Sequence, residues 1–272
     1  MKLLMKSWRI FAIAILFLSL AFALSLLRPL LRAARKGETR DRIVSSHLRI
    51  ICRVMGLRIH LKGDLFPKTN FLLLANHVSY LDIIILGSLA PMSFMAKEEI
   101  KAWPVIGFLA KRGRAVFVGR DSVSARVKAL HQAKGLLQNE SLCIFPEGTT
   151  SAAHSPSAER WYRGNIALAK SHPLVLAGIH YQDQSRLAWI DDQELVPHLW
   201  DVLGMKRINV SIETKVFPSS RETSLKEMSQ LAHQLICRLT ESAHDRSKET
   251  ECMKQRREHS KLQLLDSLSQ IR

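Results

Sequence analysis

Apolar positions fall along this chain in three regimes. From Ile10 to Leu27 they form one uncharged run of 18 residues, interrupted only by Ser19 and Ser25. That is the threshold length for a helix that crosses a bilayer. From Leu57 to Ile212 short apolar runs alternate with longer mixed ones. Leu57–Leu61 alternates apolar and polar, as a half-exposed strand does. Phe71–Ala75, Ser93–Ala96, Ala115–Val118, Ser141–Phe145, Leu174–Tyr181 and Ile208–Ile212 are short, apolar-rich runs and predict further strands. Ser45–Met55, Ser79–Leu89, Ile106–Ala110 and Val123–Leu137 predict helices between them. After Pro218 the pattern changes again: Leu225–Leu239 is amphipathic, and His244–Lys261 is charged and apolar-poor. The latter predicts a solvated helix or a mobile tail.

Strands alternating with helices predict an α/β fold, a single mixed sheet flanked by helices, with an N-terminal hydrophobic membrane-anchoring helix. Three segments follow: a membrane anchor and basic amphipathic helix over 1–56, an α/β domain over 57–220, and a C-terminal amphipathic helix with a charged tail over 221–272.

Charge sharpens the reading of the first regime. The 272-residue chain has a formal net charge of +16, and residues 1–62 hold 13 Lys and Arg against 2 Asp and Glu. The excess therefore flanks the apolar run: Lys2, Lys6 and Arg9 before it, and Arg28, Arg32, Arg35, Lys36, Arg40 and Arg42 after it. Such asymmetry predicts attachment to an anionic membrane surface. No small-x-small cleavage pattern follows the run, which argues against a cleavable signal peptide. No stacking-aromatic motif accompanies the charge, which argues against a nucleic-acid partner. The heavier charge after the run predicts a cytoplasmic body with the first few residues outside; a monotopic helix lying in one leaflet is the alternative. Cys52, Cys143, Cys237 and Cys252 make no metal spacing, and the eleven histidines form no metal-binding cluster. No metal site, nucleotide loop or cofactor is predicted, and the cysteine usage suits a reducing compartment.

The chemistry concentrates in two runs. His77 and Asp82 lie in Asn76-His77-Val78-Ser79-Tyr80-Leu81-Asp82, just after an apolar strand. An imidazole held by a carboxylate can take a proton from a hydroxyl. No serine or cysteine carries a nucleophile signature of its own, so the simplest chemistry makes the substrate's hydroxyl the nucleophile. On one helix five residues turn through about 140°, so the two side chains would not share a face. Pairing requires His77 ahead of a helix and Asp82 in its first turn. Ser79 and Asp82 form an S-x-x-D capping pattern that predicts this start, with Ser79 as N-cap. A cap beside an unrelated histidine is the competing explanation. The second run is Phe145-Pro146-Glu147-Gly148-Thr149-Thr150. Pro146 ends the strand, Gly148 permits a tight turn, and Glu147 is presented at the strand's carboxyl end, where open α/β sheets bind ligands. A strand-ending turn with a solvated glutamate is the alternative.

Together the two runs resemble the glycerolipid and lysophospholipid acyltransferase family, whose bacterial prototype acylates 1-acylglycerol-3-phosphate. The family's N-H-x-S-x-x-D block matches Asn76 to Asp82, and its F-P-E-G-T block matches Phe145 to Thr149. Between them, Gly113 to Arg120 fits a block ending in an arginine, and Arg163 matches a basic residue expected downstream. Leu176 stands where the fourth block normally has a proline, and Thr150 stands where an arginine often follows F-P-E-G-T. The resemblance spans roughly residues 60–215.

The resemblance implies acyl transfer from a thioester, acyl-CoA or acyl carrier protein, to a lysolipid hydroxyl, with no cofactor. His77 and Asp82 are the implied catalytic pair, the first as general base. Arg120 and Arg163 are implied to hold the acceptor's phosphate, with Glu147, Gly148 and Thr149 also at the substrate. Asn76, Ser79, Phe145 and Pro146 are implied to shape the motif. The expected acceptor is 1-acyl-sn-glycerol-3-phosphate, which would yield phosphatidic acid. Another lysolipid, such as lyso-ornithine lipid, is the alternative, since Leu187–Asp192 and Pro197–Trp200 resemble that wider branch. A non-catalytic basic membrane scaffold is the reading from another class. The expected location is the bacterial inner (cytoplasmic) membrane, with the catalytic domain on the cytoplasmic side.

Overall fold

The computed structural model describes residues 2–26, 37–119, 122–153, 155–159, 161–190, 192–218 and 223–269, with side chains except at 37–38, 163 and 254–269. Helices α1 (Lys2–Leu26) and α2 (Gly37–Met55) lead into β1 (Leu57–Gly63) and β2 (Leu72–Ala75). Then come α3 (Leu81–Leu89), β3 (Ser93–Lys97), α4 (Ile106–Arg112), β4 (Val116–Val118), α5 (Val123–Leu137) and β5 (Leu142–Ile144). The chain continues through β6 (Leu174–Tyr181), α6 (Gln184–Leu187), α7 (Leu195–Val202), β7 (Ile208–Phe217) and α8 (Leu225–Ser269). Two 3₁₀ segments, Glu98–Ala102 and Arg163–Lys170, complete it. Neither they nor α6 and α7 carry an apolar period long enough to be predicted.

The seven strands form one sheet in the order β1-β7-β6-β2-β5-β3-β4. Only β6 and β7 run antiparallel; every other pairing is parallel, so the sheet is mixed, as expected. The central strands are covered on both faces, which is why they read as continuous apolar runs. All four residues of β2 and all eight of β6 are buried. Their side chains sort by the two-residue period. Leu73, Ala75, Val175, Ala177 and Ile179 face a core built with Ile51, Met55, Leu81 and Ile85 of α2 and α3. Leu72, Leu74, Leu174 and Leu176 face a second core with Ala129 and Ala133 of α5 and Met228, Ala232 and Ile236 of α8.

Of the two alternatives for His244–Lys261 the chain takes the helix, continuous with Leu225–Leu239. It lies so close to the sheet at its fifth turn that a Cβ on Gly178 would stand 2.3 Å from the Thr240 nitrogen. β7 runs five residues past Ile212, because β1 and β6 pair with it on either side. Not all the N-terminal cations face outward, either. Arg9 is buried, donating to the carbonyls of Leu203 (3.0 Å), Met205 (2.5 Å) and Lys206 (3.3 Å) just past α7. Lys6 pairs with Asp201 at 3.4 Å, and Ile13 sits in the main core. The N-terminal half of α1 is thus bonded to the body, whereas the charge pattern predicted the first few residues on the far side of a membrane. Arg40 is also buried, paired with Asp41 and with Glu140 (2.6 Å). Arg28, Arg32, Arg35 and Lys36 lie outside the described residues.

Candidate active site

β2 and β5 are parallel neighbours with Leu74 opposite Ile144. Each chain therefore leaves the sheet at the same end. Three residues beyond that matched pair stand His77 on one strand and Glu147 on the other. The register of two buried strands thus places both sequence blocks side by side at the carboxyl edge.

His77 precedes α3 and Asp82 lies in its first turn, the arrangement that pairing required. The imidazole Nδ1 donates to Asp82 Oδ2 at 2.7 Å. A carboxylate only accepts, so this bond fixes the proton on Nδ1 and leaves Nε2 as the basic nitrogen. Asp82 is completely buried and needs its charge satisfied. Oδ2 also accepts from the backbone N–H of Val78 (2.7 Å) and Ser79 (3.0 Å), and Oδ1 accepts from the Tyr181 hydroxyl (2.6 Å). Burial, followed by the nearby Asp82 charge, raises the Tyr181 pKa well above its ordinary value, so the phenol stays protonated and donates.

The expected Ser79 cap is corrected. Tyr80 occupies the N-cap position without a side-chain cap bond, and the buried Ser79 hydroxyl has no hydrogen-bond partner among the described residues. The capping pattern works in reverse: Asp82 reaches back to the Ser79 amide, while the Asp82 amide takes the Ser79 carbonyl at 3.0 Å. The carboxylate that orients the histidine therefore also organises the helix start.

Asn76 is structural. Its side chain donates to the Ile179 carbonyl (2.9 Å) and accepts from the Ile179 amide (2.7 Å), extending the β2–β6 ladder by one side-chain rung. Phe145 stacks on the His77 ring, with centroids 3.8 Å apart and planes 9° from parallel. This joins the two blocks directly. Pro146 and Glu147 form a turn closed by the Gly148 N–H donating to the Phe145 carbonyl (2.9 Å). Gly148 has φ +66°, which a side chain would strain. Glu147 is buried rather than solvated and accepts from the Ser157 amide at 3.3 Å. Thr149 follows the turn, half-buried. Thr150 donates to the Trp189 carbonyl, while the Trp189 amide donates to the Val78 carbonyl (3.0 Å). The 189 segment therefore ties both blocks together.

Arg120 lies outside the described residues. Arg163 begins the second 3₁₀ segment, but its side chain is also outside the description. Cys143 is fully buried on β5, and burial raises its pKa well above the thiol's ordinary value, as for a small core residue. Among the described residues no group of His, Cys, Asp and Glu could hold a metal ion. Sequence reading missed Tyr181, which lies 99 residues from its partner Asp82 and looks like the last apolar position of a strand.

The family profile described as Acyltransferase matches residues 57–182. A lyso-ornithine lipid O-acyltransferase of Pseudomonas aeruginosa is 31% identical over 243 residues, covering 87% of this chain and 92% of the relative. Another from Brucella abortus is 30% identical, covering 86% and 95%. A 1-acyl-sn-glycerol-3-phosphate acyltransferase of Neisseria gonorrhoeae is 28% identical, covering 58% and 64%. The crystal structure of the 1-acyl-sn-glycerophosphate acyltransferase PlsC from Thermotoga maritima shares the fold. It has a TM-score of 0.57 at 17% identity and covers 85% of this chain and 97% of that one. The profile and the relatives that cover most of the chain make it an acyltransferase. This chain belongs to the glycerolipid and lysophospholipid acyltransferase family.

Proposed function

We propose that this enzyme transfers a fatty acyl group from a thioester, acyl-CoA or acyl carrier protein, to the free hydroxyl of lyso-ornithine lipid. The carrying observation for the chemistry is the His77 Nδ1–Asp82 bond of 2.7 Å, which leaves Nε2 to take the hydroxyl proton. The alkoxide oxygen attacks the thioester carbonyl, and a tetrahedral oxyanion forms. The C–S bond then breaks, and the thiolate recovers the proton from the imidazolium. Asp82 holds the ring and stabilises its charge meanwhile. The Gly148 N–H is already donated to the Phe145 carbonyl, so it is not a free oxyanion donor.

The acceptor is supported by the relatives that match most of both chains, which carry the lyso-ornithine name. That moves the reading from the acceptor first expected. The second reading, 1-acyl-sn-glycerol-3-phosphate, keeps the support of the Neisseria relative and of Arg120 and Arg163 at the family's basic positions.

The site of action is proposed as the cytoplasmic face of the bacterial inner membrane. α1 is long and apolar enough to cross a bilayer and exposes Trp8, Phe11, Leu18 and Phe22. Val105, Ile106 and Phe108, at the neighbouring α4, are exposed as well. Thioester donors are made in the cytoplasm.

Purified full-length protein given both lysolipids with each donor decides the acceptor. Lyso-ornithine lipid is expected to give the higher kcat/KM. If 1-acylglycerol-3-phosphate wins, and Arg120→Ala raises its KM by about one to two decades, as loss of a charged hydrogen bond does, the second reading replaces the first.

A further inference from the structure

We infer that Tyr181 is a positioning residue for the His77–Asp82 pair, acting through the carboxylate oxygen that His77 does not touch. The inference rests on the acyl-transfer reading of His77.

Oδ2 of Asp82 accepts from His77 and from two backbone amides, at 2.7, 2.7 and 3.0 Å. Those bonds hold one corner of the carboxylate. The terminal torsion of an aspartate is broad and only loosely two-fold. With Oδ2 alone held, the group can swing about that corner and carry its lone pairs off the imidazole N–H. The Tyr181 hydroxyl at 2.6 Å on Oδ1 removes this freedom. Tyr181 is itself rigid: it ends the buried strand β6 and is completely buried. It is held by the sheet, whereas His77, Val78 and Ser79 sit on the loop that Asp82 organises.

The surroundings make the phenol matter electrostatically too. Facing the carboxylate and the phenol are His77 and Tyr80 from the loop, Cys143 from β5 and Cys52 from α2. Among the described residues no lysine or arginine pairs with Asp82. A buried carboxylate without a fixed cation depends on its hydrogen-bond donors, and the phenol is the donor that holds Oδ1.

Tyr181→Phe keeps the ring and removes only the hydroxyl. The full-length enzyme with this change is expected to lose about tenfold in kcat, with both KM values within about twofold. The double variant Tyr181→Phe/Asp82→Asn should be no slower than Asp82→Asn, because a group acting through Asp82 has nothing left to position. A merely structural tyrosine would give additive losses. Replacing Tyr181 with 3-fluorotyrosine preserves shape and makes a stronger donor, so kcat should change in the parent enzyme and stay unchanged in the Asp82→Asn background; this variant decides the matter if Tyr181→Phe does not fold. An unchanged kcat in the fluorinated parent, or additivity in the double variant, overturns the role of Tyr181. His77→Ala separates the two claims. If it stays active, the acyl-transfer reading of the site falls and takes this inference with it. If it is dead while the Tyr181 variants behave like the parent, only the inference falls.

Discussion

Contacts reach the His77 ring from two parts of the chain, and a third reaches its partner. Asp82 accepts from its Nδ1, Phe145 stacks on it, and Tyr181 donates to Asp82. His77→Ala should therefore remove about 10² to 10⁴ in kcat, the usual worth of a positioned base. It should also lower the melting temperature modestly, since buried Asp82 loses one donor and Phe145 its stacking partner. Asp82→Asn should be at least as damaging to kcat. It puts an NH₂ where four donors converge, so it should also lower the melting temperature. Steady-state kinetics beside calorimetry checks both, and a fully active His77→Ala enzyme would remove the general base from the mechanism. At this scale the pair was legible because both partners lie within one short run. Tyr181 was not, because nothing local marks a buried tyrosine as a donor to a residue 99 positions away. Nor was the true role of Ser79: its pattern announced a helix start, but the carboxylate, not the hydroxyl, makes the cap.

Secondary elements were legible where one covered face imposed a period. β2, β6, α3 and α5 fall close to where their apolar patterns put them. Elements defined by neighbours rather than by their own pattern were not. β7 is long because it has partners on both sides, and α7 ends just before the carbonyls that Arg9 of α1 collects. α8 lies hard against β6 at Gly178, where an added Cβ would lie 2.4 Å from the Leu239 carbonyl carbon. Gly178→Ala must push one backbone away from another. It should destabilise the fold by about 1–3 kcal/mol, as overpacking does, with a further loss for Gly178→Val. Chemical denaturation measures this. A neutral Gly178→Ala would mean that α8 is free to move off the sheet.

For the whole molecule the main lesson concerns α1. Its pattern reads as a membrane anchor, yet Ile13 lies in the main core and Leu16 and Phe17 pack against it. Its other face exposes Leu4, Phe11, Leu18 and Phe22. One helix thus serves the body and an apolar surface at once. Full-length protein should stay in the membrane fraction through a high-salt wash, because apolar insertion is not screened. Deleting residues 1–27 should do more than release the protein. It should uncover part of the core and leave Leu203, Met205 and Lys206 without their buried donor, so the truncated body should unfold at a lower temperature in detergent. Unchanged melting after truncation would show that α1 is an anchor alone.

The sequence by itself determined the α/β class, the apolar N-terminal helix, the acyltransferase family and the two runs that match the family's blocks. Those features are local: a two-residue or helical period, a block of five to seven residues, a charge imbalance beside one apolar stretch. Only the tertiary structure decided which groups complete the site and which basic residues are internal. The register of β2 on β5 sets His77 beside the Phe145 turn, β6 delivers Tyr181 to Asp82, and the packing of α1 turns Arg9 inward. Such pairings join positions far apart in the chain, and their energies depend on burial. No local pattern encodes burial of that kind, because it exists only once the two faces of the sheet have been covered.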